Sequence, residues 1–294
     1  MSVTTKGIIL AGGSGTRLYP TTRGISKQLL PIYNKPMIYY PITTLMKAGI
    51  KEILIISTYR DLPNFMELIG TGSQWGIHID FIEQETPRGL AEAFILGEDF
   101  IGQNDCCLVL GDNVFHGHME EHLQSWQRDP TGALIFAYQV RNPEAYGVIE
   151  FYENGSPLRI VEKPKVAKSP YAVTGLYFYD NQVIKLAKES SPSDRGELEI
   201  TEINNCYLRS NELKVEILGR DVAWLDTGTY ETLMQASQYV EAIENRTGRM
   251  VGCPEEIAQE MGFITSEDLT NIGKTLYETN YGKYLVELGM SLCN

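Results

Sequence analysis

Three short, unbroken apolar runs, separated by stretches with helical spacing, constrain this chain more than anything else in it. Gly7-Ile8-Ile9-Leu10, Ile53-Leu54-Ile55-Ile56 and the run from Cys106 to Leu110 are continuous rather than alternating, as expected of strands covered on both faces. Between them, Met37, Ile38, Pro41, Ile42, Leu45 and Met46 recur at helical spacing up to Gly49, and Gly89 to Phe100 reads as a second helix. This rhythm predicts an α/β fold, Rossmann-like and doubly wound, around a mainly parallel central sheet.

From Ala133 the texture changes to closely spaced strand candidates: Leu134 to Phe136, Val148 to Phe151, Leu158 to Val161 and Val173 to Tyr179, with Asn154-Gly155 as a turn. These additional strands either extend the sheet or flank it. After Trp224-Leu225-Asp226-Thr227-Gly228 the pattern is helical, from Tyr230 to Asn245 and then in short segments to Leu292. The expected organisation is a core over 1–230. A C-terminal helical region over 231–294 packs on it and makes subunit contacts.

Charge and composition remove several function classes. A formal net charge of −13 opposes binding to nucleic acid, which needs a basic face to neutralise many phosphates. A small anionic substrate needs only a few concentrated cations and a metal ion. No stretch approaches the ~18 consecutive apolar residues of a membrane span, and the first residues show no signal-peptide pattern. The five cysteines sit at unrelated spacings, and the adjacent pair Cys106-Cys107 should point to opposite faces of one strand. Reduced thiols in a cytoplasmic protein are therefore expected.

The strongest local motif is Leu10-Ala11-Gly12-Gly13-Ser14-Gly15-Thr16-Arg17-Leu18, a glycine loop directly after a predicted strand. Glycines let backbone N–H groups approach phosphate oxygens and adopt positive φ, so that successive amides line one anion-binding concavity. The loop lacks the Gly-Lys-[Ser/Thr] ending of a P-loop, and Leu18 stands where a dinucleotide fingerprint needs its last glycine. Arg17 can offer a planar fork of donors to phosphate, and Lys27 a point charge. Taken alone, the loop also fits a plain strand-to-helix turn with a solvated arginine. Likewise Asp112 and Asp226, taken alone, fit turn or helix-cap aspartates, and Glu162-Lys163 fits a surface ion pair.

The loop is followed by Ser26-Lys27-Gln28-Leu29-Leu30-Pro31, and the two together resemble the signature of the sugar-1-phosphate nucleotidyltransferases. Tyr33 to Pro41, Leu110-Gly111-Asp112-Asn113, Tyr146-Gly147-Val148, Glu162-Lys163-Pro164, Thr174 to Tyr179 and Trp224 to Gly228 extend the resemblance over essentially the whole chain. It implies transfer of the thymidylyl group of dTTP to glucose 1-phosphate, with release of pyrophosphate. The alternatives within the same fold are UTP- or CTP-dependent enzymes and a non-catalytic nucleotide-sugar sensor.

By the same resemblance Asp112 and Asp226 hold Mg²⁺, which takes one or two carboxylates and completes its shell with water and phosphate. Arg17, Lys27 and Lys163 are the cationic catalytic residues. The nucleotide lies against Leu10, Gly12, Gly13, Ser14, Gly15, Thr16, Arg17, Lys27 and Asp112, with its base read by Gln28 and Gln84 beside Pro87, Gly89 and Leu90. The sugar phosphate is surrounded by Asn113, Tyr146, Gly147, Glu162, Lys163, Val173, Gly175 and Trp224. A phosphomonoester has a second pKa of ~6, so the attacking oxygen is already an anion and no general base is required. The family also implies a homotetramer and a nucleotide-sugar effector such as dTDP-rhamnose. His116-Gly117-His118, with His122 beyond, imitates metal-ligand spacing, but nothing nearby completes a tetrahedral set and zinc is not expected.

Overall fold

The computed structural model describes residues 4–13 and 15–292. Strand β1 (Thr5–Leu10) runs into the glycine loop, and a small antiparallel pair, β2 (Pro31–Ile32) and β3 (Lys35–Pro36), precedes helix α1 (Tyr39–Lys47). There follow β4 (Glu52–Ser57), α2 (Leu62–Ile69), β5 (His78–Glu83), two short helices α3 (Glu92–Leu96) and α4 (Glu98–Ile101), and β6 (Asp105–Leu110). The strands β6-β1-β4-β5 lie side by side and parallel, with Ile8 opposite both Leu54 and Leu108.

Alternate residues of these strands enter two separate core layers. Ile9, Ile53, Ile55, Cys107 and Val109 pack with Ile42, Leu45, Met46 and Phe65 on one face. Ile8, Leu54, Ile56, Cys106 and Leu108 pack with Phe94, Val183 and Ile203 on the other. Each such buried aliphatic side chain stabilises the fold by ~1.5–3 kcal/mol, which is why the runs tolerate no polar residue. Cys106 and Cys107 do part to opposite faces, and both are free thiols.

The expected helix from Gly89 to Phe100 is instead α3 and α4, meeting at Gly97. A Cβ at Gly97 would lie 2.9 Å from the Ala93 carbonyl oxygen and 3.3 Å from side-chain carbons of Ile8 and Leu54. The chain is pressed against the sheet there, and the glycine that permits this contact also interrupts the helix.

In the second half, β7 (Asn113–Gly117), α5 (Glu120–Arg128), β8 (Ala133–Gln139), β9 (Gly147–Phe151), β10 (Pro157–Glu162), β11 (Tyr171–Tyr179), α6 (Gln182–Glu189), α7 (Ile200–Arg209), β12 (Leu213–Ile217) and β13 (Val222–Asp226) follow in order. The strand-rich segment extends the main sheet: β11 joins antiparallel to β6, β8 and β9 join β11, and β12 lies parallel to β8. The register between β11 and β8 shifts between Val173 and Tyr177. Apart from the sheet, β7 and β13 pair antiparallel, setting Asp226 opposite Asn113.

Helix α8 (Tyr230–Thr247) starts at Thr229, whose side chain accepts from the Thr232 amide while Thr232 returns the bond, a capping box that satisfies two backbone donors. Its Ala236 and Val240 pack with Ile32, Met37, Tyr40 and Val114. Beneath them Lys35, 1% exposed, pairs with Glu244 at 2.5 Å. The chain ends in α9 (Pro254–Glu260), α10 (Ser266–Thr275) and α11 (Asn280–Ser291). Ile257 and Ala258 of α9 enter the same core layer as α1. Among the described residues no helix is long and apolar enough to cross a membrane.

Candidate active site

The turn after β1 sits beyond the carboxyl end of a central parallel strand, where ligands of open α/β sheets bind. Gly13 has φ +101° with no heavy atom within 4 Å of a built Cβ, and Gly15 has φ +58°. Both need the left-handed freedom of glycine, and the space beside Gly13 is open. At Gly12 a Cβ would lie 2.3 Å from Gln84 Oε1, so a side chain is excluded by a neighbour. Thr16 and Arg17 are exposed on the single 3-10 turn that follows. The Leu10 carbonyl accepts from the Gly111 amide at 3.0 Å, tying the turn to the exit of β6. Ser14 lies outside the described residues.

Asp112 follows β6 and Asp226 ends β13, and the structure brings them together. The Thr227 amide and hydroxyl both donate to the Asp112 carbonyl oxygen, at 3.1 and 2.8 Å. The Lys27 ammonium pairs with one Asp112 carboxylate oxygen, and Asn113 Nδ2 donates to the other at 3.0 Å. Burial works against the charge on Asp112, yet Lys27 and these hydrogen bonds hold it below the usual carboxylate range. Asp226 is pushed up to about 6, by burial and then by Asp112, against the pull of Lys27, Arg17 and Lys163. A Cβ at Gly228 would be 3.4 Å from an Arg17 guanidinium nitrogen and 3.5 Å from both Asp226 carboxylate oxygens, so the two groups converge over that glycine. Because Thr229 caps α8, Asp226 has no capping role.

Two crowded, half-buried carboxylates, one raised by the other, suit a divalent cation that would relieve their repulsion. Among the described residues no cluster of three or more histidine, cysteine or acidic side chains arranged to hold a metal occurs. A pair is what Mg²⁺ takes when phosphate and water complete its shell.

Among the residues expected around the sugar phosphate, Asn113 is 2% exposed, and its amide oxygen is committed to the protein. Its Oδ1 accepts from the Gly175 amide at 3.1 Å and from Trp224 Nε1 at 2.6 Å. A Cβ at Gly175 would collide with that oxygen at 2.5 Å. The register shift in β11 spans Gly175, and Val173 just before it is 8% exposed. Tyr146 lies 5.1 Å from Trp224, ring centre to ring centre, and its phenol is pushed up to about 12 by burial and then by Asp226. Gly147 faces Glu162 across the β9–β10 hairpin. Lys163 adopts φ +40°, a conformation costly for a residue with a side chain and concentrated at functional sites. Its ammonium is 3.6 Å from Glu162.

On the base side, Gln28 and Gln84 are 4% and 2% exposed. Gln28 Oε1 accepts from the Ser26 hydroxyl at 2.7 Å, and Gln84 Nε2 donates to Glu92 at 2.8 Å. Pro87 is exposed and Leu90 half-buried. Gly89, expected to admit a base, is required by the chain itself: at φ +109° its Cβ would meet the Leu198 carbonyl oxygen at 2.4 Å. Leu198 donates its amide to the Arg88 carbonyl at 2.6 Å and accepts from the Ala91 amide at 3.1 Å.

Three residues at the site went unread in the sequence. Thr201 donates to Glu162 at 2.6 Å, Arg195 reaches Glu162 at 3.5 Å, and Glu92 holds Gln84. The only signal for Arg195 and Thr201 is the run Arg195-Gly196-Glu197-Leu198-Glu199-Ile200-Thr201, one cation among acids with a spacing that points to no chemistry, and Glu92 sits in a helical pattern that reads as solvated. The histidines have separate partners: His116 meets the Tyr239 hydroxyl at 2.8 Å and His122 meets Glu216 at 2.6 Å.

The chain belongs to the nucleotidyl transferase family, whose model matches residues 6–243. It is 52% identical over 284 residues to the glucose-1-phosphate thymidylyltransferase of Neisseria meningitidis, covering 96% of this chain and 99% of that one. The Mycobacterium tuberculosis protein of the same name is 53% identical over 284 residues, covering 96% and 98%. A solved Bacillus anthracis structure in complex with a sucrose has a TM-score of 0.76 and 38% identity, covering 80% of this chain and 95% of that one. A UDP-glucose pyrophosphorylase complexed with UDP-glucose has a TM-score of 0.71 and 25% identity, covering 81% and 99%.

Proposed function

We propose that this chain transfers the thymidylyl group of dTTP to glucose 1-phosphate, forming dTDP-glucose and pyrophosphate, with Asp112 and Asp226 holding Mg²⁺. The observation that carries this reading is the convergence of the Gly12–Arg17 turn, Lys27, Asp112 and Asp226, from separate parts of the chain, on the carboxyl side of β1 and β6. Near-identity of length with thymidylyltransferases that share about half its residues supports it.

The chemistry is mainly positioning of two anions that repel each other. The glycine turn, open beside Gly13, receives the triphosphate, and the Arg17 fork and Lys27 ammonium draw its charge into line. Lys163 and Arg195 present cations on the side where Glu162 and Gly147 meet the sugar, so that the sugar phosphate faces the α-phosphorus. When bound, the metal neutralises charge on the departing pyrophosphate. In this reading the carboxylates of the cleft hold the metal and the sugar rather than take a proton, because the nucleophile arrives already ionised. Gln28 and Gln84 read the base, with Pro87 and Leu90 beside it.

In the same reading residues 1–230 carry the chemistry in the cytoplasm. Residues 231–294 supply contacts of a homotetramer that binds a nucleotide-sugar effector such as dTDP-rhamnose. Exposed Met261, Leu276, Tyr277 and Leu292 support an interface there, and the molar mass in solution tests it. The activity is tested by pyrophosphate release from dTTP, glucose 1-phosphate and Mg²⁺, with UTP, CTP and other hexose 1-phosphates in parallel. Turnover with CTP as fast as with dTTP would remove the thymidylyl assignment, and no release with any pair would leave a sensor.

A further inference from the structure

Gln84 is a base-facing side chain whose orientation the protein dictates. Its amide nitrogen donates to Glu92 Oε2 at 2.8 Å. Glu92, 2% exposed, also receives the Arg88 backbone N–H on Oε2 at 3.1 Å. Its other oxygen takes the Arg88 guanidinium, at 2.7 Å from Nε and 2.6 Å from a terminal nitrogen. A backbone N–H and a guanidinium can only donate, so both Glu92 oxygens are acceptors here. The part of Gln84 that faces Glu92 is therefore its NH₂, and its carbonyl oxygen is turned away, to where a Cβ on Gly12 would meet it at 2.3 Å.

An amide free to flip offers a base either a donor or an acceptor. One anchored through its nitrogen fixes which side carries the oxygen, here the side toward Gly12, and so presents an acceptor there. Thymine and uracil carry an N–H at ring position 3, whereas cytosine carries a lone pair there. We propose that Glu92 is a positioning residue for base selection: by holding the Gln84 nitrogen it fixes the Gln84 oxygen on the opposite side, facing the base, where it accepts from thymine or uracil N3–H and repels the cytosine lone pair. This rests on the reading of Gln84 as a base reader given above. Sites built to bond a substrate N–H reject analogues lacking it strongly, because a buried polar group is left unpaired.

The test is kcat/KM for dTTP, UTP and dCTP, with glucose 1-phosphate and Mg²⁺, in three proteins: wild type, Glu92→Gln and the double variant Gln84→Glu/Glu92→Gln. The single variant keeps the shape at position 92 but supplies both donor and acceptor, so the Gln84 amide can flip. The dTTP-to-dCTP ratio should fall about tenfold or more, the effect of one ~1.4 kcal/mol preference. In the double variant the introduced amide at 92 donates to the introduced carboxylate at 84, whose remaining oxygen can only accept, and the ratio should recover. Each ratio is taken within one preparation, so partial unfolding cancels. A ratio unchanged in Glu92→Gln, with both nucleotides slowed alike, marks a structural role and overturns the proposal, as does a lost ratio that the double variant fails to restore. Wild type that consumes no dTTP overturns the proposed function instead.

Discussion

Asp226, next to Asp112 beyond the carboxyl end of β6, and Asp105, at the amino end of the same strand, are both carboxyls pushed up to about 6, in each case by burial first and a second aspartate next. Around Asp226 stand Arg17, Lys27 and Lys163, with an open glycine turn alongside. Around Asp105 the second carboxylate is Asp180, and the nearby Lys6 is paired with Glu52 at 2.8 Å. The amino edge also has a hollow, a cavity of about 420 Å³ lined by Lys6, Lys51, Asp105 and Trp126 among others. A perturbed carboxyl in a hollow is thus no site by itself. What separates the two edges is the convergence of three cations, Arg17, Lys27 and Lys163, and an open glycine turn on one of them.

Substitutions can break this contrast. The largest effect is expected at Arg17→Ala, which should lower kcat by ~10²–10³ while the unfolding transition stays in place; normal turnover in the folded variant would remove the guanidinium from the mechanism. Asp226→Asn should cost roughly 10² in kcat and raise the Mg²⁺ concentration needed for half-maximal rate, whereas an unchanged metal requirement would make Asp226 structural.

Asp105→Asn should leave kcat unaltered and act on stability alone. Its folded value lies above the ordinary carboxylate value, so the wild type is favoured below about pH 4 and loses that contribution as pH rises through about 6. The Asn variant escapes the loss and should be more stable at pH 7 by ~2 kcal/mol, the gain shrinking toward pH 4 in denaturant melts. A gain that grew on acidification would reverse the assignment of cause. The smallest effect is expected at Gly12→Ala: its Cβ must displace the Gln84 oxygen, raising KM for dTTP about tenfold with KM for glucose 1-phosphate little changed.

The contrast between the edges was half legible in the sequence. The runs at Ile8, Ile53 and Cys106 announce strands because both faces of each need apolar partners, and the glycine turn follows from its composition. Motif resemblance picked out Asp112 and Asp226, but their adjacency depends on the β7–β13 pairing and on a hydrogen bond spanning 115 residues, which no local pattern encodes. The resemblance places Asn113 at the sugar, and only the fold shows that Asp112, Gly175 and Trp224 fix its amide. Glu92 was passed over because a glutamate in a helical pattern looks solvated, and only the fold reveals it buried beneath Gln84. The break at Gly97 was missed for the same reason, since the pressure of Ile8 and Leu54 on that turn is tertiary.

The backbone exchange between Leu198 and the Arg88–Ala91 stretch has a mechanical meaning. On the proposed function, the rim assigned to the nucleobase and the segment carrying Arg195 and Thr201, whose hydroxyl donates to Glu162, are joined through a junction with no room for a single added carbon at Gly89. The two half-pockets therefore share one hinge post, and a strain imposed on either wall is felt by its opposite number.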